Sequence, residues 1–221
     1  MFDKLMEKIE NLFLDEPAVN IFSFGDPVAE KVEWTPLKNS GSSFRTQQVK
    51  AYGYNRIEIV PTIEVKLLGL LYIVADLAFV FWLLYSKHPD FQFMDDYKSG
   101  IFTLVFIASA IMGIVLYVKF FKRQNFDKQS GYYWVGKKGP RQTYDFKEDE
   151  RFIELRTIHA IQLVKHLVKS DGSTFYSYEL NLVLNNLKRV NVMNHGKLNK
   201  LREDAEALSK FLNVPVWDAI Q

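Results

Sequence analysis

Two long apolar runs near the middle of the chain constrain its fold more than any other feature. Residues 67–85 read LLGLLYIVADLAFVFWLLY, with Asp76 as the only charged residue, and residues 101–118 read IFTLVFIASAIMGIVLYV, with none. As helices they would be about 28 Å and about 27 Å long, close to the hydrocarbon thickness of a bilayer. Two such runs joined by a short polar loop are unusual in a globular core. The sequence therefore predicts a transmembrane hairpin over residues 66–121.

Positively charged residues lie on the flanks of these two runs and are scarce in the loop between them. They are Arg45, Lys50, Arg56 and Lys66 before the first run, and Lys119, Lys122, Arg123 and Lys128 after the second. The loop has only Lys87 and Lys98, against three aspartates. Because Lys and Arg are concentrated on the cytoplasmic side of membrane proteins, this pattern predicts a multi-pass protein of the bacterial inner (cytoplasmic) membrane with both termini cytoplasmic.

The segment before the first run, residues 1–65, is expected to be an N-terminal cytoplasmic segment. Apolar residues at helical spacing over residues 2–13 predict a short amphipathic helix. Stretches rich in β-branched and aromatic residues favour short strands at 19–24, 44–51 and 56–60. The sequence leaves open whether these strands join a sheet formed by the C-terminal part of the chain.

After the second run, over residues 122–221, the apolar pattern changes to a period of two, which is typical of strands. Within 178–184, for example, Tyr178, Leu180 and Leu182 share one face. Over 197–212, leucines recur at helical spacing instead. These patterns predict a cytoplasmic α+β domain whose antiparallel sheet is closed by a C-terminal amphipathic helix. The predicted fold class is thus a membrane α-helical hairpin plus a cytoplasmic α+β domain.

The order of these elements resembles that of uncharacterised bacterial two-span inner-membrane proteins with a pleckstrin-homology-like cytoplasmic domain. The resemblance covers about residues 66–213, and its segments are RFIELRTIHAIQLVKH, YELNLVL, RVNVMNHG and LREDAEALSKFLNVPVWD. The chain is also similar, more loosely, to the photosystem I assembly family of two-span proteins. The resemblance implies a membrane location and a pleckstrin-homology-like sheet that binds protein or lipid headgroups, and it brings no active-site residues.

Composition and motif spacing exclude several classes of chemistry. The chain has no cysteine, which excludes disulfides, iron–sulfur centres and thiol nucleophiles. Its formal net charge of +2 gives no strong field for nucleic acid. Its glycines fit no phosphate loop, dinucleotide fingerprint or nucleophile elbow. We therefore expect no enzyme, no cofactor and no nucleic-acid partner.

The histidines do not have the spacing of a metal site. The four are His88, His159, His166 and His195. His159 and His166 are seven residues apart in a predicted strand, so their side chains should face opposite sides of it. His195 lies between Asn194 and Gly196, where a turn that caps the last helix is favoured over a catalytic role. No metal is predicted.

Asp76 is the most specific site candidate, because it lies at the centre of the first apolar run. An ionised carboxylate in such surroundings is expected to face a polar partner or to be protonated. In an antiparallel hairpin, Ser109 is the partner at the same depth, and Gly113 next to it favours close helix packing. We expect a structural hydrogen bond in this hairpin or with a second copy, with proton or ion handling as the alternative.

A second candidate site is a basic cluster just after the second run. Its members are Lys119, Lys122, Arg123 and Lys128, followed by Lys137, Lys138 and Arg141 on the first predicted strand. Such residues attract anionic lipid headgroups, and the first four are the candidate contacts. The alternative is that the charges only fix the orientation of the hairpin, because the positive-inside rule already accounts for those four.

Taken together, these features favour an interaction or scaffold protein, anchored in the membrane as part of an inner-membrane complex and without catalytic chemistry. The expected partners are the lipid bilayer, a protein partner or a second copy of the chain, and anionic lipid headgroups. Two alternatives remain. The first is an immunity protein against a membrane-active toxin, and the second is a subunit of an oligomeric transporter or channel, which Asp76 suggests.

Overall fold

The computed structural model describes residues 20–38, 40–85, 97–120, 122–140, 151–170 and 173–220. The amphipathic helix expected over 2–13 and the loop that contains His88 lie outside these residues. Within them the chain is an α+β protein with two β-sheets and four α-helices.

The first sheet is a five-stranded antiparallel meander in which each strand pairs with the next one along the chain. Its strands are β1 (Gln47–Tyr52), β2 (Arg56–Pro61), β3 (Gln124–Asp127), β4 (Tyr132–Val135) and β5 (Phe152–Glu154). The pairing of β2 with β3 joins the segments before and after the two central helices, with Ile57 opposite Phe126. The question left open by the sequence is thereby answered, because the N-terminal segment forms two strands of this sheet.

The second sheet has four strands in the order β8-β7-β6-β9. They are β6 (Ile158–Ser170), β7 (Ser173–Leu184), β8 (Arg189–His195) and β9 (Val216–Asp218). The β6–β7 and β7–β8 pairs are antiparallel, whereas β9 runs parallel to β6. The long β6–β7 hairpin extends from Ile158 to Leu184, so the period-two pattern of this region forms one continuous ladder.

The helices are α1 (Pro27–Lys31), α2 (Ile63–Tyr85), α3 (Tyr97–Phe120) and α4 (Leu198–Leu212). The main core lies between the two sheets and α4, and it includes Ile59 and Phe126 from the first sheet and Leu163 and Leu182 from the second. The apolar stripe of α4 covers this core, with Leu208 fully buried. The amphipathic helix expected over 197–212 is thus present, and it packs against strands of both sheets.

A smaller core cluster lies on the opposite face of the second sheet. Ala29 and Val32, in and just after α1, pack there against Ala160, Val183 and Trp217. The segment 20–44 therefore lies across this face, which the sequence pattern had left exposed.

The predicted transmembrane hairpin is wrong: none of the helices in the described part of the chain is both long enough and apolar enough to cross a membrane. The described part of α2 includes the charged residues Glu64, Lys66 and Asp76.

This finding also corrects the membrane part of the predicted fold class and the predicted location. The hairpin over 66–121 and the multi-pass inner-membrane placement with both termini cytoplasmic are not supported. The fold is instead an α+β protein with two sheets, and the first of these incorporates the N-terminal segment.

Candidate interaction surfaces

Helices α2 and α3 pack on each other as an antiparallel pair, which we call the helix pair. The ring of Phe79 stacks on that of Phe106, with centroids 3.4 Å apart. Gly113 faces Tyr72, and a Cβ atom at Gly113 would lie 3.5 Å from the Tyr72 Cβ. Gly113 therefore lies at the contact between α2 and α3.

The rest of the helix pair exposes large apolar side chains. On α2 these are Ile63, Leu67, Leu68, Leu70, Leu71, Ile73, Val74, Leu77 and Phe81. On α3 they are Leu104, Val105, Ile107, Ile111, Met112, Ile114 and Val115. Monomeric proteins rarely expose contiguous apolar patches of more than a few hundred Å², and larger ones mark interaction sites.

These apolar residues are exposed on more than one side of each helix. Leu71 and Ile73 are 64% and 55% exposed, although at 100° per residue they lie about 160° apart around the helix axis. Val105 and Ile107 have the same relation on α3 and are both more than half exposed. The pair thus has apolar surface on several sides, so one flat neighbour would cover only part of it.

Asp76 lies within this apolar surface and is partly buried. Its Oδ1 atom is buried and has no hydrogen-bond partner among the described residues, so Ser109 does not donate to that oxygen within the chain. An unpartnered buried polar atom costs about 1–3 kcal/mol, and a charged one costs more. The contact between Asp76 and Ser109 therefore stays a prediction, and the structure shows an acceptor that is still free.

A cavity of about 410 Å³ lies where the helix pair meets the two-sheet body. Val65, Tyr72 and Met112 line it from the helices, and Phe44 and Phe175 line it from the body. Its lining is mainly apolar, and it contains no cluster of ionisable groups that would suggest catalysis.

Among the basic residues predicted as candidate lipid contacts, Lys128 lies at the other end of β3 from Lys122 and Arg123. Lys122 and Arg123 precede β3, whereas Lys128 follows it, about 17 Å further along an extended chain. The Nζ atom of Lys128 lies 4.6 Å from the centroid of the Phe211 ring, a cation–π contact. The side chain of Lys119 lies outside the described part of α3.

The histidines occupy three different environments in the described chain. The Nε2 atom of His159 lies 2.8 Å from Oδ2 of Asp26. Burial tends to raise the pKa of Asp26, but the Val28 N–H and His159 together bring it below its usual value. Burial lowers the pKa of His166, on the middle of β6. No group of three metal-ligating side chains occurs among the described residues.

His195 is fully buried at the end of β8, and it orders the turn into α4. Its Nδ1 atom accepts a hydrogen bond of 3.2 Å from the Lys197 N–H. Burial, and then the positive charge of Arg45, lower its pKa to about 4. The next position, 196, has room only for glycine, because a Cβ atom there would lie 2.4 Å from the carbonyl oxygen of Ser43. This geometry is that of a structural turn.

Sequence reasoning missed a buried polar layer under the segment 20–44. The carboxylate of Glu179 accepts hydrogen bonds of 2.8 Å and 2.7 Å from the N–H groups of Leu37 and Lys38. Nearby, Gln162 donates from Nε2 to the Glu33 carbonyl at 3.0 Å, and Arg189 donates to the Thr35 carbonyl at 2.6 Å. The layer attaches this segment to the sheet through its backbone.

Comparison with known proteins gives no relative from which a role could be transferred. No family model, no curated protein and no solved structure matches the chain. The resemblance to pleckstrin-homology-like membrane proteins therefore has no support from these comparisons. A function for the chain has to be argued from its own surfaces.

Proposed function

We propose that this chain is a self-associating interaction or scaffold protein without catalytic chemistry. In this proposal the helix pair is the assembly surface, and the two-sheet body is the rigid part that each copy adds to the complex. The observation that carries the proposal is the large apolar surface of the helix pair, on which Asp76 has a buried oxygen without a hydrogen-bond partner among the described residues.

The apolar residues supply the driving force for association. Burying a Leu, Ile or Val side chain that was exposed contributes about 1.5–3 kcal/mol, and more than a dozen such residues are available on the two helices. Because they lie on several sides of the pair, we infer that each copy contacts more than one other copy.

Asp76 favours a second copy of the chain over a purely apolar neighbour. A hydrocarbon surface cannot donate a hydrogen bond to the free Oδ1 atom. A second helix pair can, because each copy carries the Ser109 hydroxyl on α3 within the same apolar surface. The contact would be reciprocal between symmetry-related copies, as in most homo-oligomers.

Cysteine cross-linking of the full chain in mild detergent tests this proposal. Since the native chain has no cysteine, Leu71→Cys and Ile114→Cys each place a single thiol on the helix pair. Under oxidation we expect covalent dimers from each single variant and a ladder of larger species from the double variant. The matched control is Tyr54→Cys, because Tyr54 is 97% exposed at the β1–β2 turn, away from the helix pair, and this variant should form no covalent dimer.

Asp76 variants test the polar part of the same contact. Asp76→Asn keeps a side chain that can form hydrogen bonds, so it should cross-link like the parent Cys variant. Asp76→Leu removes the acceptor and should lower the cross-linked fraction about tenfold, which corresponds to the cost of the lost hydrogen bond. The proposal would be overturned if the thiols on the helix pair cross-linked no more than the thiol of Tyr54→Cys. That result would indicate a monomer whose apolar surface is covered only by detergent or lipid.

A further inference from the structure

A cluster of positively charged residues lies at the C-terminal end of α3, where the chain enters the first sheet. Lys122 and Arg123 follow α3 directly, and the Gly136 N–H donates to the Arg123 carbonyl at 2.8 Å. This hydrogen bond extends the β3–β4 ladder beyond Gln124 and Val135. The register therefore places the loop that contains Lys137 and Lys138 beside Lys122 and Arg123.

Most of the charge in this cluster is not neutralised. Lys122, Lys137 and Lys138 are exposed and form no ion pair with any described residue. Among the described residues, the carboxylate at this cluster is that of Glu58, whose side chain is 5% exposed and forms an ion pair of 2.8 Å with Arg56. Arg123 lies 3.7 Å from the same carboxylate, and its own side chain is 60% exposed.

Unused hydrogen-bond donors lie beneath the same loop. The ring of Trp134 packs under Gly139, where an added Cβ atom would approach it to 3.1 Å. Trp134 is 5% exposed, and its indole N–H has no acceptor within the described chain. The guanidinium carbon of Arg56 lies 5.9 Å from the centroid of this ring, and its buried Nε–H is also without an acceptor. Both donors add positive potential to the corner.

We propose that this corner, formed by Lys122, Arg123, Lys137 and Lys138, binds a phosphate group. Lysine ammonium groups and an arginine guanidinium are the side chains that proteins use for phosphate, and here the backbone register brings two adjacent strand ends that carry four of them side by side. A free phosphate and the headgroup of an anionic phospholipid share this chemistry. The inference does not depend on self-association, because the corner lies outside the apolar surface of the helix pair.

Two probes distinguish the two sources of phosphate, and both are applied to the full chain in low salt. The first is inorganic phosphate, measured by titration calorimetry. The second is a pair of vesicle preparations, pure phosphatidylcholine and a mixture with phosphatidylglycerol, because only the difference between them reports on the headgroup. The test variant is Lys137→Ala with Lys138→Ala. The matched control is Lys188→Ala with Lys197→Ala, which removes two exposed lysines elsewhere.

The test variant should bind about tenfold more weakly than wild type, since each surface cation contributes severalfold to the attraction of an anion. The control should stay within about twofold of wild type, and high salt should weaken the wild-type interaction. Loss of calorimetric binding in the test variant alone identifies free phosphate as the ligand. A loss confined to the vesicle difference identifies a headgroup. If neither probe separates the test variant from the control, the proposal is overturned.

Discussion

His195 shows how a single buried residue couples the stability of this fold to pH. Burial and Arg45 lower its pKa to about 4, from an ordinary value near 6.5. Because the unfolded chain then binds the proton more tightly than the folded one, stability is fully present above about pH 6.5 and decreases as the pH falls toward 4. We expect a loss of about 2–3 kcal/mol in the free energy of unfolding between pH 7 and pH 4.5.

This pH effect is measured by urea denaturation of wild type and of His195→Gln over the same range. The variant has no titrating group at this position and should lose about 2–3 kcal/mol less than wild type. The carboxyl groups of the chain titrate alike in both proteins, so the difference isolates His195. Parallel pH profiles for the two proteins would show that its titration does not control stability.

At the scale of single elements, α4 offers the clearest test of the main core. Leu208 is fully buried between the sheets, whereas the neighbouring Ala207 is exposed. Leu208→Asp would place an unpaired charge in the core and should lower the free energy of unfolding by about 4 kcal/mol or more. Ala207→Asp introduces the same residue on the outer face and should change it by less than about 1 kcal/mol. Equal effects in denaturation experiments would contradict the packing described for α4.

The elements differ in how far their sequence patterns predict them. The apolar stripe of α4 and the alternation in β7 predict the correct secondary structure, because each has one face in the main core. The same alternation gives a wrong prediction for the other face of β7, because it suggests that Glu179 and Asn181 face solvent. Both are fully buried, because backbone N–H groups from a segment more than 140 residues earlier cover Glu179. No local pattern reports such a distant hydrogen bond.

The central apolar runs show the same limit at the candidate site. Their composition predicts two helices, and both are present as α2 and α3. The inference from apolar length to a membrane crossing is wrong, because no helix in the described part of the chain is both long and apolar enough, and α2 contains three charged residues there. The sequence grouped Lys128, Lys137 and Lys138 with Lys122. The strand register brings the loop with Lys137 and Lys138 beside Lys122 and places Lys128 at the other end of β3.

At the scale of the whole molecule, the chain combines a two-sheet body with a helix pair whose surface is apolar. The body has a closed core between two sheets, and in the described residues its outer polar groups bind its own N-terminal segment. The helix pair exposes apolar side chains on several sides. In our proposals, the helices carry assembly and the corner formed by Lys122, Arg123, Lys137 and Lys138 binds phosphate.

The molar mass of the full chain in mild detergent tests the central claim most directly. Light scattering coupled to size-exclusion chromatography, corrected for bound detergent, gives the number of copies per particle. The chain mass is 25.8 kDa, and self-association on several sides of the helix pair predicts a defined species with more than two copies. A single species at 25.8 kDa over a wide range of protein-to-detergent ratios would contradict the account.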